Sequence, residues 1–483
     1  MRRDLPALGV ALVAVLLVSF LTGSTAAKRS DAPVGTAPVT ARILACPVVN
    51  GQPRYTHGSA AAADLSSAVS SAPSVTGSTV VTTLFGTKSH TSPVDLNPTD
   101  SLQTSGLHSE AVAYSTKGTT AAYVVADEVI DTDEGRYRSL AGGNCLPPAT
   151  DWWFVGGSGK VGYTDRLFLA NPAKTPADVV VTAWTPKGPV STPRISDIVV
   201  APQSKYTVGV YAFAPNIPDV AVHVHVESGA VTAALLDRHT SGVDPEGGDL
   251  VPPTQPPSRH GVIAGFPDGS GPRALVVANP GLTDATVTVQ VVTTQGEYTP
   301  SSLKSFVVGP GTTKEVDLAR ALSGDTGAVL LSSDQPVIAS GRSTAAPGGR
   351  LDPDYFWDAV TPAISGPAAV AIGREPDGGQ CLLLLSAPQG AASVRLTTPS
   401  GGNHVISVPA RHSVELDVTD MVKSASTTWP FVVTPVGTAP VYGVRVLHFA
   451  GAHGALNTAE PLTPLPGPIP LPPVHEDPRL ASR

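Results

Sequence analysis

A six-residue segment returns at a fixed interval along this chain of 483 residues. Leu167-Phe168-Leu169-Ala170-Asn171-Pro172 recurs as Leu275-Val276-Val277-Ala278-Asn279-Pro280 and again as Leu383-Leu384-Leu385-Ser386-Ala387-Pro388, so Pro172, Pro280 and Pro388 stand 108 residues apart. Val199-Val200-Ala201-Pro202 matches Val307-Val308-Gly309-Pro310 at the same offset, and the third copy offers Ser407-Val408-Pro409 after a shorter loop. Downstream, Val316-Asp317-Leu318 pairs with Leu416-Asp417-Val418 and with Val94-Asp95-Leu96, which makes the N-terminal region a divergent further copy.

Within each copy apolar and polar residues alternate. The valines of Val220-Ala221-Val222-His223-Val224-His225-Val226 share one face, as do those of Val287-Thr288-Val289-Gln290-Val291. That period belongs to strands with one face on a core and one in water. Turn residues separate the runs, as in Trp184-Thr185-Pro186-Lys187-Gly188 and Thr294-Gln295-Gly296. The expected fold is all-β: tandem immunoglobulin-like antiparallel β-sandwich modules. A propeller blade repeats at 40 to 50 residues, and an interval of 108 argues against one. The modules are expected at 40–148, 150–255, 258–362 and 366–458, followed by a Pro-rich extended tail at 460–483. Between them, the Pro-, Gly- and Asp-rich stretches 244–257 and 346–367 read as links, although Tyr355-Phe356-Trp357 within the second is expected to pack. Residues 58–83 read as low complexity.

Glycine and proline number 47 and 48, with 14% charged and 41% hydrophobic residues. Such a chain is too apolar for wholesale disorder, and no glycine recurs every third residue as collagen requires. A net charge of −8 removes the electrostatic footprint of a nucleic-acid binder.

At the N-terminus, Arg2 and Arg3 precede an apolar stretch, Leu5 to Leu21, and then small residues. Residues 1–29 read as a signal peptide or a retained signal anchor, with the remainder outside the cytoplasm. Of three cysteines, Cys46 and Cys145 bracket the first module and are expected to form a disulfide in that oxidising compartment, while Cys381 is expected to be a buried apolar group. Ile43-Leu44-Ala45-Cys46 resembles a lipobox, but charged residues separate it from the apolar stretch.

Candidate chemistry is sparse. His223 and His225 lie on the polar face of one strand and begin a metal set, yet no third ligand is identifiable, and no metal is assigned. Asp127, Glu128, Asp131, Asp133 and Glu134 invite a calcium reading, but the spacing fails the EF-type loop and leaves a solvated acidic loop. Gly156-Gly157-Ser158-Gly159-Lys160 lacks the residues a phosphate loop needs and reads as a hairpin turn. No Gly-x-Ser-x-Gly nucleophile motif occurs. Trp152 and Trp153, in Asp151-Trp152-Trp153-Phe154, are expected to fill the seam between the first two modules. Exposed, they and Trp357 would be interaction aromatics for a partner or glycan.

Through Trp153-Phe154-Val155-Gly156-Gly157-Ser158, the Asn-Pro strand ends and Cys145-Leu146-Pro147-Pro148, the chain resembles an actinobacterial family of secreted or single-span envelope proteins of unknown function, the DUF5719 type. The third copy departs from it with Ala387-Pro388. The resemblance implies fold and location and transfers no catalytic or cofactor residue. The expected function is a non-enzymatic extracytoplasmic scaffold of the cell envelope, membrane-anchored or secreted, whose partner is an envelope protein, peptidoglycan or polysaccharide. A carbohydrate-binding array and an accessory of a membrane glycosyltransferase are the alternatives.

Overall fold

The computed structural model describes residues 35–47, 55–62, 77–84, 91–94, 101–105, 111–192, 195–345, 352–372, 379–398, 402–422 and 429–471. The apolar segment Leu5 to Leu21, Asp95-Leu96 and residues 472–483 lie outside them. Thr36–Ala37 and Ile469–Pro470 form a two-stranded ladder of their own. The body, Val39–Pro466, is one compact unit.

The chain is all-β, and each repeat folds into two facing sheets. In the second repeat, one sheet orders Asp151–Val155, Ala221–Ser228 and Ala177–Thr185, with the short strands Gly188–Val190 and Ile198–Val200 on the last. The other orders Ser204–Gly209, Arg166–Asn171, Thr232–Ser241 and Asp244–Val251. The other three repeats, including the divergent first, keep this order. In the third, a single 19-residue strand, Gly327–Ala345, serves both sheets, where the second and fourth repeats use two strands. Valines on one face of Ala177–Thr185 and Ala221–Ser228 meet Leu167, Leu169 and Leu235 across the gap, and this apolar layer holds the sandwich together.

The Asn-Pro signature has a structural cause. Asn171 ends its strand buried, with Nδ2 donating to Thr175 O (2.8 Å) and Val200 O (3.0 Å) and Oδ1 accepting from Ala173 N (2.9 Å). Asn279 repeats every bond 108 residues on, to Thr283 O (2.7 Å), Val308 O (3.1 Å) and Gly281 N (3.0 Å). One amide thus satisfies three backbone groups where the chain leaves one sheet for the other.

The repeats are not beads on a string. The inner strands Ser139–Asn144, Asp244–Val251, Asp354–Ala359 and Gly454–Pro461 pack side by side in a closed ring, first on second, second on third, third on fourth and fourth on first. The four inner sheets are arranged like four propeller blades around this axis. The 108-residue interval is longer than a blade because it spans a whole two-sheet repeat, of which only one sheet is a blade. Since blades touch on both faces, their central strands are buried on both: all seven residues of Arg273–Asn279 are buried. Phe168, Leu236 and Leu250 meet Ile130 and Ala141 at one seam, and Phe356 and Leu384 meet Val444, Val446 and Ala459 at another.

Two carboxylates lie on the axis. Asp354 accepts hydrogen bonds from Leu140 N (3.2 Å), Gly248 N (3.1 Å) and Asn457 N (2.9 Å), one from each of the other three repeats. Asp249 likewise accepts from Gly142 N (3.1 Å), Trp357 N (3.0 Å) and Thr458 Oγ1 (2.8 Å). Both side chains are fully buried. Glycine is required where neighbours crowd them: Gly247 has φ +104°, and a Cβ there would lie 2.6 Å from Asp354 Oδ1.

Several expectations change here. The stretches 244–257 and 346–367 are not links, for they contain the inner strands of the second and third repeats. The low-complexity stretch 58–83 holds strands, within Tyr55–Ala62 and Gly77–Leu84. The fourth repeat runs past 458, because Gly454–Pro461 is its inner strand and Thr463–Pro464 pairs with Ala368–Ala369; the extended tail does not begin at 460. The ring closes between first and last repeats through Asn144 Nδ2 on Pro461 O (2.8 Å) and Arg138 Nη2 on Ala455 O (3.1 Å). The Cys46–Cys145 disulfide ties the first strand of the first repeat to the exit of its inner strand, and Cys381 is buried.

Replacing an axis acceptor by a donor should loosen the whole ring. At pH 8, where the carboxyl is ionised, Asp354→Asn turns one oxygen into an amide facing a backbone N–H and should cost about 1–3 kcal/mol in denaturant unfolding. Asn279→Ala strips donors from two carbonyls and should cost a similar amount, about 1–3 kcal/mol.

Candidate binding cavity and surface histidine cluster

The carboxyl ends of the four inner strands converge on a cavity of about 200 Å³ at one end of the axis. Every repeat contributes: Gly142–Asn144 and Leu146 from the first, Leu250–Pro253 from the second, Thr361 and Pro362 from the third, and Ala459–Pro464 from the fourth. Pro47, Pro252, Pro253, Pro362, Pro461 and Pro464 give it a smooth wall without backbone donors.

Two buried acids line it, Glu128 and Glu460. Among the described residues, Oε2 of each has no hydrogen-bond partner. Burial pushes the Glu128 carboxyl up to about 8; Lys205 opposes the rise, and Asp127 and Glu460 add to it. Burial also raises Glu460, with Arg445 pulling the other way and Asp127 adding to the rise. Arg445 bonds Glu460, lies 3.9 Å from Asp127 Oδ2 and donates to Ala371 O (3.2 Å). Asp127 and Glu128 do not lie in the solvated acidic loop that their spacing suggests. They are buried instead on the strand Val124–Thr132, and Asp127 contributes to the seam between first and fourth repeats.

The other singled-out residues scatter. Trp152 is 7% exposed in the core of the second sandwich, its Nε1 donating to Val231 O (2.9 Å). Trp357 is 1% exposed beside the axis, with Nε1 on Asp237 Oδ2 (2.8 Å). Neither offers a ring face to solvent, so neither can serve as a surface platform. Trp153 is partly buried and stacks on His223 (3.7 Å between centroids) and on Trp184 (5.8 Å). The Gly156–Lys160 segment is no hairpin but a crossing from one sheet to the other. Within it, Ser158 N donates to Asp165 Oδ2 and Gly159 N to Ile217 O (2.8 Å).

His223 and His225 do project from the outer sheet, and the structure adds a neighbour. In the antiparallel ladder Asp151 stands opposite His225 and Trp153 opposite His223. Asp151 Oδ1 sits 2.9 Å from His223 Nε2 and 3.2 Å from His225 Nδ1. Burial alone would raise the Asp151 carboxyl, but hydrogen bonds from both imidazoles outweigh it and hold it below the ordinary range. Burial lowers His223 against the opposing pull of Asp151. Asp151 had been visible only as the residue before Trp152; strand register, which sequence did not supply, brings it to the histidines.

The buried acids make stability depend on pH. Burial raises Asp354 and Asp358 to about 7 and Glu128 to about 8, against unfolded values near 4. The folded chain therefore keeps protons that the unfolded chain has released, and the stability present below about pH 4 is lost as pH rises through 7 to 8. The denaturation midpoint should be lower at pH 8.5 than at pH 5.5. Glu128→Gln should shrink the stability difference between pH 5.5 and pH 8.5 by on the order of 1–3 kcal/mol.

No curated protein matches the chain. A family model for a family of unknown function, DUF5719, matches residues 101–422, two thirds of the sequence and part of every repeat of the ring. The chain belongs to the DUF5719 family.

Proposed function

We propose that this chain is a non-enzymatic scaffold outside the cytoplasm, in the cell envelope, and that the cavity at the end of its axis takes a side chain or chain end of a protein partner. The observation that carries this reading is that all four repeats build one cavity, so closing the ring and forming the site are a single event. The wall of proline and aliphatic carbon suits an apolar protein group rather than a sugar, whose recognition uses exposed aromatic faces and many donors. The buried axis acids also favour a structural reading, since Asp249 and Asp354 use both oxygens on groups from the other repeats. Each repeat is read as an immunoglobulin-like sandwich in the broad sense of two facing antiparallel sheets, although its first strand pairs across to Ala221–Ser228 rather than to the second strand. The disulfide fits an oxidising compartment. Leu5 to Leu21 supplies the export signal or anchor.

A photoreactive amino acid placed at Gln255, on the cavity lining, should form a covalent adduct with one envelope protein. The same group at Leu282, 95% exposed and away from the cavity lining, should not. Equal labelling from both positions, or specific retention on a glycan array instead, would favour the carbohydrate-binding alternative.

A further inference from the structure

The outer sheet of the second repeat carries a ligand set that the cavity reading does not use. Asp151, His223 and His225 each offer a ligand atom within 4.8 Å of the other two, and Asp151 Oδ1 faces His223 Nε2 and His225 Nδ1. We propose that these three side chains bind one divalent transition-metal ion, of the zinc class, with the remaining coordination positions open to solvent.

Ladder register sets the geometry. His223 and His225 are two residues apart on one strand and so share a face, and Asp151 stands opposite His225 on the neighbouring strand. A four-coordinate zinc with bonds near 2.0–2.1 Å spaces its ligand atoms about 3.3 Å apart. The two carboxylate–imidazole distances here, 2.9 and 3.2 Å, lie within a few tenths of that spacing. The two imidazole nitrogens are held within 4.8 Å of each other, so side-chain rotation about a fixed backbone brings all three ligands onto one ion, with ring protons displaced to solvent or to the other nitrogens.

Two further contacts hold the set in place. Trp153 stacks face to face on His223, 10° from parallel, and fixes the plane of that imidazole. The Thr150 hydroxyl approaches Asp151 Oδ2 at 3.4 Å, which leaves Oδ1 turned to the histidines. Two imidazoles and one carboxylate favour zinc, nickel, cobalt or copper over calcium and magnesium, which prefer all-oxygen shells. With Asp151 and His225 about half exposed, at 47% and 51%, the bound ion would face outward, where a partner's side chain or a water completes its shell.

Isothermal titration of the full chain with zinc chloride at pH 7.5 tests the assignment, with cobalt absorption in the visible range reporting coordination number. One ion should bind per chain, and cobalt should give the intense bands of a four- or five-coordinate site. His225→Ala and Asp151→Asn should each weaken zinc binding at least about tenfold. His260→Ala, at a histidine on another repeat, should leave it unchanged. Both ligand positions are solvent-facing, so circular dichroism should show these variants folded as the parent is. Absence of one-to-one binding in the folded parent, or binding that survives the Asp151→Asn/His225→Ala double variant, would overturn the proposal.

Discussion

The structure depends on two carboxyl groups placed where four strands meet. A β-sheet stabilises itself through its own ladder, but the inner strands of this ring belong to four different sheets and share no ladder. Asp249 and Asp354 supply the missing bonds, each collecting hydrogen donors from the three repeats other than its own. Burying a carboxyl group is costly, and the cost is offset only while every donor is in place. The axis is thereby cooperative: removing one repeat exposes acids that belong to its neighbours. Trp357 couples the same arrangement to the seam between second and third repeats, because its backbone serves Asp249 and its indole serves Asp237.

Much of this order is written in the chain, in two different forms. Alternating runs such as Val287 to Val291 belong to the outer sheets, one face on the core and one in water. Unbroken runs such as Leu275 to Ala278 belong to the inner sheets, which are covered on both faces. Reading both as half-exposed strands yields independent sandwiches in a row, whereas distinguishing them points to a second buried interface. The Asn-Pro strand ends were legible as a repeat, and the clamp made by Asn171 and Asn279 explains their recurrence; Ala387 lacks it, and its backbone instead bonds His412 and Arg411.

The axis itself was hidden for a physical reason. Its strands are polar and glycine-rich where they meet, as in Asp244-Pro245-Glu246-Gly247-Gly248-Asp249, because neighbouring backbones approach too closely for side chains and because carboxylates do the joining. Locally, such a sequence cannot be distinguished from a turn or a link. The same limit applies to the histidine cluster. Spacing reveals that His223 and His225 share a face, but Asp151 is 72 residues from the first of them and reaches it only through strand register. The disulfide was more accessible, since Cys46 and Cys145 frame a repeat whose ends must meet.

Closure has a functional consequence. A row of sandwiches would present four separate surfaces, while a ring presents one cavity whose wall all four repeats share and whose shape is fixed by the same acids that hold the axis. Everything here depends on closure of the ring, which small-angle X-ray scattering of residues 39–466 measures. A closed ring of this length should give a radius of gyration of about 22 Å, the value for a single compact body. A radius roughly twice that, the signature of four modules in line, would mean that the ring is open.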